Sequence, residues 1–266
     1  MKQLLKTLFL RYSPGWLLLY AKKRHYLKTV KAASELEEPD LKVVKYLVRK
    51  GETVGDIGAN IGVYTRALSQ MVGTEGEVLS FEPIPATFAI LSNTVRRCGL
   101  GNVRLFNCAL TDQEVMLTME VPRYESGGEN YYEARIVSGQ KVSPYKTFSI
   151  PGKPLDALTA PAKQPVTFIK CDVEGNELSV IKGAQRLIEK DHPAFLIEVC
   201  ADPDQQSTSA FELFRRMRSY GYEAYFLKDG IFKKRAAGEK SVNYFFLQKH
   251  HLSRLDHTEE FTMRQE

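Results

Sequence analysis

The chain has 266 residues, 43% of them hydrophobic and 26% charged, with a net charge of +5. A chain of this length buries roughly 70–75% of the surface its unfolded form exposes, so it needs no disulfide or metal staple and reads as one globular domain with appendages, or at most two small domains. The four cysteines, Cys98, Cys108, Cys171 and Cys200, show no C-x-x-C spacing, which argues against zinc and for buried thiols in a reducing, cytoplasmic compartment.

No Asp or Glu precedes Glu35, whereas Lys2, Lys6, Arg11, Lys22, Lys23, Arg24, Lys28 and Lys31 alternate there with Leu and Trp. Arg11 and Pro14 interrupt the apolar run and no small-residue cleavage site follows, so this is not read as a signal peptide. There is no run of 18 apolar residues, and no membrane span is expected. Residues 1–31 are expected to pack on the domain with a solvated basic face. The alternative is peripheral contact with an anionic membrane, at its inner face. A helix over 36–49, stopped by Gly51, completes an N-terminal helical extension, 1–50.

A strand over 53–57 opens the main unit and runs into V-G-D-I-G-A-N-I-G, residues 54–62. A helix over 63–71, a strand over 77–81 closed by Glu82-Pro83, a helix over 86–98 and a strand over 103–109 follow. This β-α-β-α-β rhythm predicts a parallel sheet with helices on both faces. It breaks over 113–165, where M-L-T-M-E-V, Y-E-S-G-G-E-N-Y-Y and Y-K-T-F-S-I-P predict extra antiparallel strands around a Gly/Tyr loop. It resumes with a strand over 166–171, a helix over 177–189, a strand over 194–199 and a helix over 210–220. Two last strands, near 223–227 and 243–248, are expected to form an antiparallel edge. Residues 51–250 make the main domain, and 251–266 are expected to be a polar, frayed tail.

The glycine turn spaces Asp56-x-Gly58-x-Asn60-x-Gly62. This is neither the G-x-G-x-x-G of dinucleotide sites nor a P-loop, since Val63-Tyr64 stand where Lys and Ser/Thr are needed. The pattern D-x-G-x-[GN]-x-G is that of S-adenosylmethionine-dependent methyltransferases. Gly58 allows close backbone approach to a ligand, and Asn60 tolerates the left-handed conformation. Asp56 ends its strand where open α/β sheets bind ligands, and is expected to face the cationic methionine end of the cofactor. Glu82, 26 positions later, is placed to accept two hydrogen bonds from a ribose diol. Cys108 and Ala109, after the third strand, are expected to border the adenine.

The motifs G-D-I-G-A-N-I-G-V-Y-T, F-E-P-I-P, N-C-A-L-T-D, I-K-C-D-V-E-G-N-E-L-S-V-I-K-G-A and H-P-A-F-L-I-E-V occur in that order over about residues 50–200. In them the chain resembles the FkbM-type methyltransferases. The K-x-D-x-E-G-x-E stretch is the more specific part. The resemblance implies a class I, Rossmann-like methyltransferase: a three-layer α/β sandwich with a mostly parallel seven-stranded sheet and an antiparallel last strand. The β insertion and N-terminal helices are additions to it. Ala59, Tyr64, Thr65 and Pro83 join the expected cofactor set through these motifs. The resemblance further implies O-methylation of a glycan, glycolipid or polyketide-type hydroxyl. An RNA ribose 2′-O-methyltransferase is the competing reading, although no RNA module is visible and the basic excess is N-terminal.

A neutral hydroxyl must lose its proton during methyl transfer, which calls for a general base. No histidine lies in a core motif, so the candidates are Asp172, Glu174 and, next, Glu198. Lys170 shares a strand face with Asp172 and is expected to pair with it or with Glu198. Glu177 is read as a helix cap. The three carboxylates could hold Mg²⁺, but no metal is expected. Tyr124, Tyr131 and Tyr132 of the insertion could stack on sugar rings or fill its own small core.

Overall fold

The computed structural model describes residues 15–33, 38–122, 135–137, 145–159, 164–255 and 261–264. Strands whose residues are apolar on both faces bury into the middle of a sheet. β1 (Thr53–Ile57) is buried along its whole length. It pairs in parallel with β2 (Glu77–Phe81) on one side and β8 (Val166–Cys171) on the other. β2 continues in parallel to β3 (Val103–Phe106), and β8 to β9 (Ala194–Glu198). β12 (Asn243–Leu247) then inserts antiparallel between β9 and β10 (Glu223–Lys228).

The order β3-β2-β1-β8-β9-β12-β10 supplies the seven expected strands, and the sheet extends by two more, β11 (Ile231–Lys234) and β13 (Thr262–Arg264). One face packs against α6 (Glu177–Lys182), α7 (Gln185–Asp191) and α8 (Ser209–Ser219) around Ile169, Ile181 and Leu213. The other packs against α2 (Leu41–Leu47) and α3 (Val63–Val72) around Val54, Leu68 and Phe168. This is the expected class I arrangement, with the helices on both faces and the carboxyl ends of the parallel strands left free for a ligand.

α1 (Gly15–Ala32) packs on α4 (Pro85–Cys98). Its Val30 is fully buried against Ile61 and Ile90, while Arg24, Lys28 and Lys31 are exposed. Among the described residues no helix is long and apolar enough to cross a membrane.

The structure differs from the sequence reading in four places. The third strand ends at Phe106 rather than at 109. Asn107 turns back to donate its side-chain amide to the carbonyls of Glu82 and Pro83 at 2.8 and 3.0 Å, and the chain leaves the sheet. β4 (Ala109–Leu110) joins a separate four-stranded sheet, β4-β7-β5-β6, with β5 (Val115–Val121), β6 (Arg135–Val137) and β7 (Lys146–Lys153); α5 (Leu155–Thr159) was not foreseen. The helix expected over 177–189 breaks at Gly183, because the chain crosses there. A Cβ on Gly183 would lie 2.0 Å from the Thr111 carbonyl oxygen.

The fourth difference is the tail. α9 (Lys249–Leu252) and β13 are ordered pieces of it, and Leu255 and Phe261 are buried. His251 anchors this end. Its Nδ1 accepts the Gln248 N–H at 2.9 Å and its Nε2 meets the His192 carbonyl at 3.0 Å. Accepting at Nδ1 while donating at Nε2 defines the neutral Nε2–H ring; protonation would lose the Nδ1 bond, and burial pushes the pKa down to about 4. A folded-state pKa below the unfolded value means that the contribution is complete above about pH 6.5 and is lost as pH falls toward 4. Urea denaturation should therefore show stability falling over that interval by an amount on the order of 2–3 kcal/mol. His251→Gln should flatten the profile, and an unchanged pH slope in that variant would acquit His251.

Candidate active site

The glycine turn is held from behind. Asp56 is fully buried, and its Oδ2 accepts the Thr65 hydroxyl at 2.5 Å, which in turn meets Ser80 Oγ at 3.1 Å. Burial raises its pKa, while the Lys170 charge and the Thr65 bond work in the other direction. The expectation that Asp56 faces the cofactor therefore fails: the side chain lies beneath the turn and acts through Lys170. Tyr64 is buried beside it, its ring centroid 5.1 Å from Lys170 Nζ. Ala59 N–H and Gly58 N–H both donate to the Phe81 carbonyl, at 2.9 and 3.0 Å, which ties the turn to the end of β2.

Gly58 has φ +76°, and a Cβ there would stand 1.7 Å from the carbonyl oxygen of Asp172. The approach of these two chain segments therefore requires a glycine here. Gly62, at φ +96°, starts α3, and a Cβ would press on Leu91 at 2.9 Å. Asn60 does adopt the left-handed conformation, φ +48°. Its N–H donates to Glu82 Oε2 at 3.0 Å, and Ile84 N–H donates to Glu82 Oε1 at 2.8 Å. Burial raises the Glu82 carboxyl to about 7 against the pull of these two N–H groups. A carboxylate has about four acceptor sites, so two remain for other donors.

Above the turn lies a cavity of about 150 Å³ whose walls include Gly58, Asn60, Glu82, Pro83, Cys108, Ala109, Asp172 and Glu174. These are the predicted residues that the fold brings together. Asp56, Ala59, Gly62, Tyr64, Thr65, Lys170 and Glu198 stand outside its walls. Ile57, Phe81, Ile84, Leu110, Met119, Ile136, Val173 and Asn176 complete the lining, and sequence reasoning missed them. Asn176 follows the specific E-G motif and could have been flagged by it; it donates to the Leu110 carbonyl at 2.9 Å. Met119 and Ile136 come from the second sheet and carry no local signal. Tyr124, Tyr131 and Tyr132 lie outside the described residues.

Lys170, 9% exposed, holds Asp172 Oδ2 at 2.9 Å. Burial works against its ammonium, but Asp172 and Asp56 together favour the charge and leave its pKa raised. Glu174 is a non-glycine residue at φ +53°, a strained conformation of the kind that clusters at functional sites. Asp172, Glu174 and Glu198 each offer an oxygen, all within 4.8 Å of one another. Two carboxylates at that distance repel by roughly 3 kcal/mol at an effective dielectric of about 20. Lys170 neutralises one of the three. The remaining repulsion favours a proton or a cation, and Glu198 is pushed up first by burial and then by Asp172. The same three oxygens are the ones a hard divalent ion would bind. Glu177 instead accepts the Gly175 N–H at 2.8 Å, next to the start of its own helix. Beyond Glu174 a second cavity of about 200 Å³ opens between the segments that follow β8 and β9, lined among others by Leu178, Cys200 and Leu213.

A model of the Methyltransferase FkbM domain family matches residues 56–224. The chain belongs to this family. It is thereby a methyltransferase domain that depends on S-adenosylmethionine. Among solved structures, the FkbM domain is similar to a methyltransferase FkbM from Methylobacillus flagellatus, with 20% identity and a TM-score of 0.48, over 75% of this chain and 44% of that one. The chain thus spans less than half the length of that protein. It is also similar to an Aeropyrum pernix fibrillarin in complex with S-adenosylmethionine, with 12% identity and a TM-score of 0.46 over 79% and 73% of the two chains. A further likeness is to an S-adenosylmethionine-dependent methyltransferase from Aquifex aeolicus, with 17% identity and a TM-score of 0.42 over 83% and 94%. No curated protein matches the chain.

The FkbM domain's residues fit this cofactor by their chemistry. Glu82 has free acceptor capacity for a ribose diol, the apolar walls beside it suit a purine, and the carboxylates at the far end suit a cation. The cofactor supplies an electrophilic methyl group on a sulfonium. What the protein supplies is orientation and a place for the acceptor's proton, and alignment alone can contribute several kcal/mol.

Proposed function

We propose that this domain methylates a hydroxyl of a glycan, glycolipid or glycosylated metabolite. The observation that carries the reading is the set of three carboxylates, Asp172, Glu174 and Glu198, with oxygens within 4.8 Å of one another, of which Asp172 and Glu174 line the Glu82 cavity. Such a set can accept a hydroxyl proton at the point where the methyl group must be delivered. Asp172 is occupied by Lys170 and serves to orient the acceptor hydroxyl. Glu198, whose pKa is raised, takes the proton. Glu174 borders both cavities and stands between cofactor and acceptor.

The charge of this edge also supports an uncharged acceptor over RNA. A phosphodiester brought beside three carboxylates would be repelled, and Lys170, the one buried lysine among the described residues, is already paired with Asp172. The test is incubation with methyl-labelled S-adenosylmethionine and, separately, neutral oligosaccharides, glycolipids, glycosylated metabolites and RNA, with mass spectrometry of the products. A methyl ether on a sugar or aglycone hydroxyl is the expected product. Label on an RNA ribose, with none on the neutral acceptors, would reverse the reading.

A further inference from the structure

The inserted sheet packs on the cofactor side of the domain. Met119 of β5 and Ile136 of β6 are directly paired across the strands, so their side chains share one face of that sheet. Phe148 of β7 is the partner of Met119 on the other side. This rung belongs to the apolar cluster that includes Ile84 and Ala109. Ile84 follows Glu82 and holds its carboxylate through Ile84 N–H. Ala109 follows β3, the strand next to β2 on the side away from β1. Met119 and Ile136 also line the Glu82 cavity itself. Met116, on the same strand, is 63% exposed.

We propose that the inserted sheet is part of the cofactor site, and that Met119 and Ile136 form an apolar wall of the adenine slot. Glu82 marks the place of the ribose. The methionine end belongs on the side of Gly58 and Asp172, since these follow the adjacent strands β1 and β8. The base must then lie on the opposite side of Glu82, toward β3, where the remaining walls are Ile84, Cys108, Ala109 and the Met119–Ile136 rung. A purine face has no charge and gains from apolar contact on both sides. The β2–α4 segment and the post-β3 segment supply two walls. The insertion supplies a third for the base. The inference rests on the assignment of the cofactor and not on the nature of the acceptor.

Calorimetry on the full chain tests it without turnover, using S-adenosylhomocysteine and 5′-methylthioadenosine, which lacks the amino-acid half. Met119→Ala and Ile136→Ala should each weaken both ligands by the same factor, roughly four- to fifteenfold, as expected when one or two buried methylene-sized groups leave contact. Met116→Ala, on the same strand but exposed, should leave both affinities unchanged. Should Met119→Ala fail to fold, Ile136→Ala, only half-buried, decides alone. Affinities within twofold of the parent in a folded Ile136→Ala protein would overturn the proposal, and so would a loss seen for S-adenosylhomocysteine alone. Failure of the acceptor reading would leave these affinities untouched, so the two outcomes are separable.

Discussion

Glu198→Gln is expected to keep S-adenosylhomocysteine affinity and to lose about 10²–10⁴-fold in kcat, the range associated with removing a positioned base. Glu198 ends β9, and its oxygen meets those of Asp172 and Glu174 within 4.8 Å. Its pKa is raised, by burial first and by Asp172 second, which makes it a stronger proton acceptor than an ordinary carboxylate. A base works only when ionised, so kcat should rise with pH as Glu198 loses its proton, and this limb should vanish in the variant. Asp172→Asn should also lower kcat, but through orientation. It removes the ion-pair partner of the buried Lys170, so a fall in thermal stability should accompany it, whereas Glu198→Gln should not destabilise. Normal turnover and an intact pH limb in Glu198→Gln would move the base to Glu174. Loss of activity with a chelator, restored by Mg²⁺, would make the three carboxylates metal ligands instead.

Glu82→Ala is expected to weaken S-adenosylhomocysteine by about 1.5–3 kcal/mol, the contribution of hydrogen bonds to a charged group. The same carboxylate should make binding pH-dependent. Ribose hydroxyls donate to the ionised form, and burial raises the ligand-free carboxyl to about 7. Above that pH the acceptor is already ionised and affinity should be flat. Below it a proton must leave on binding, so Kd should rise as pH falls, approaching tenfold per pH unit. Titrations in buffers of different ionisation enthalpy should show proton release below pH 7 and none well above it. Equal affinity at pH 6 and pH 8 would show that Glu82 does not bind the ribose through its charged form.

The linkage has a second consequence for the ligand-free protein. A carboxyl whose folded pKa exceeds its unfolded value loses stability as pH rises from about 4.5 through 7. The burial of Glu82 is therefore a strain that a bound diol relieves, which fits a residue kept for binding rather than for folding.

The parallel core was legible because its signals are local. β1, β2, β8 and β9 are short apolar runs, each buried along most of its length, and Asn60 and Gly62 announce the left-handed turn by their own backbone preferences. Glu82 and the Asp172–Glu174 pair were also legible, since a strand's carboxyl end is a position that sequence order specifies. The steric demand on Gly58 was not: besides lining the cavity, it meets Asp172, more than a hundred positions away, where a Cβ would collide. Asp56 was misjudged for the same reason: whether a strand-end carboxylate faces the cavity or the interior depends on Thr65 and Ser80 coming to meet it.

By itself, then, the sequence determined the fold class, the cofactor turn and the three carboxylates that converge at the sheet edge, because strand periodicity and strand-end position are properties of contiguous residues. Strand periodicity also put Lys170 on the face of Asp172, but only the tertiary structure chose Asp172 over Glu198 as its partner. It alone broke the 177–189 helix at Gly183 and set Met119 and Ile136 against the Glu82 cavity. Each of these depends on separate segments meeting at a few ångströms, and burial, charge and steric exclusion act at that distance whatever the spacing along the chain.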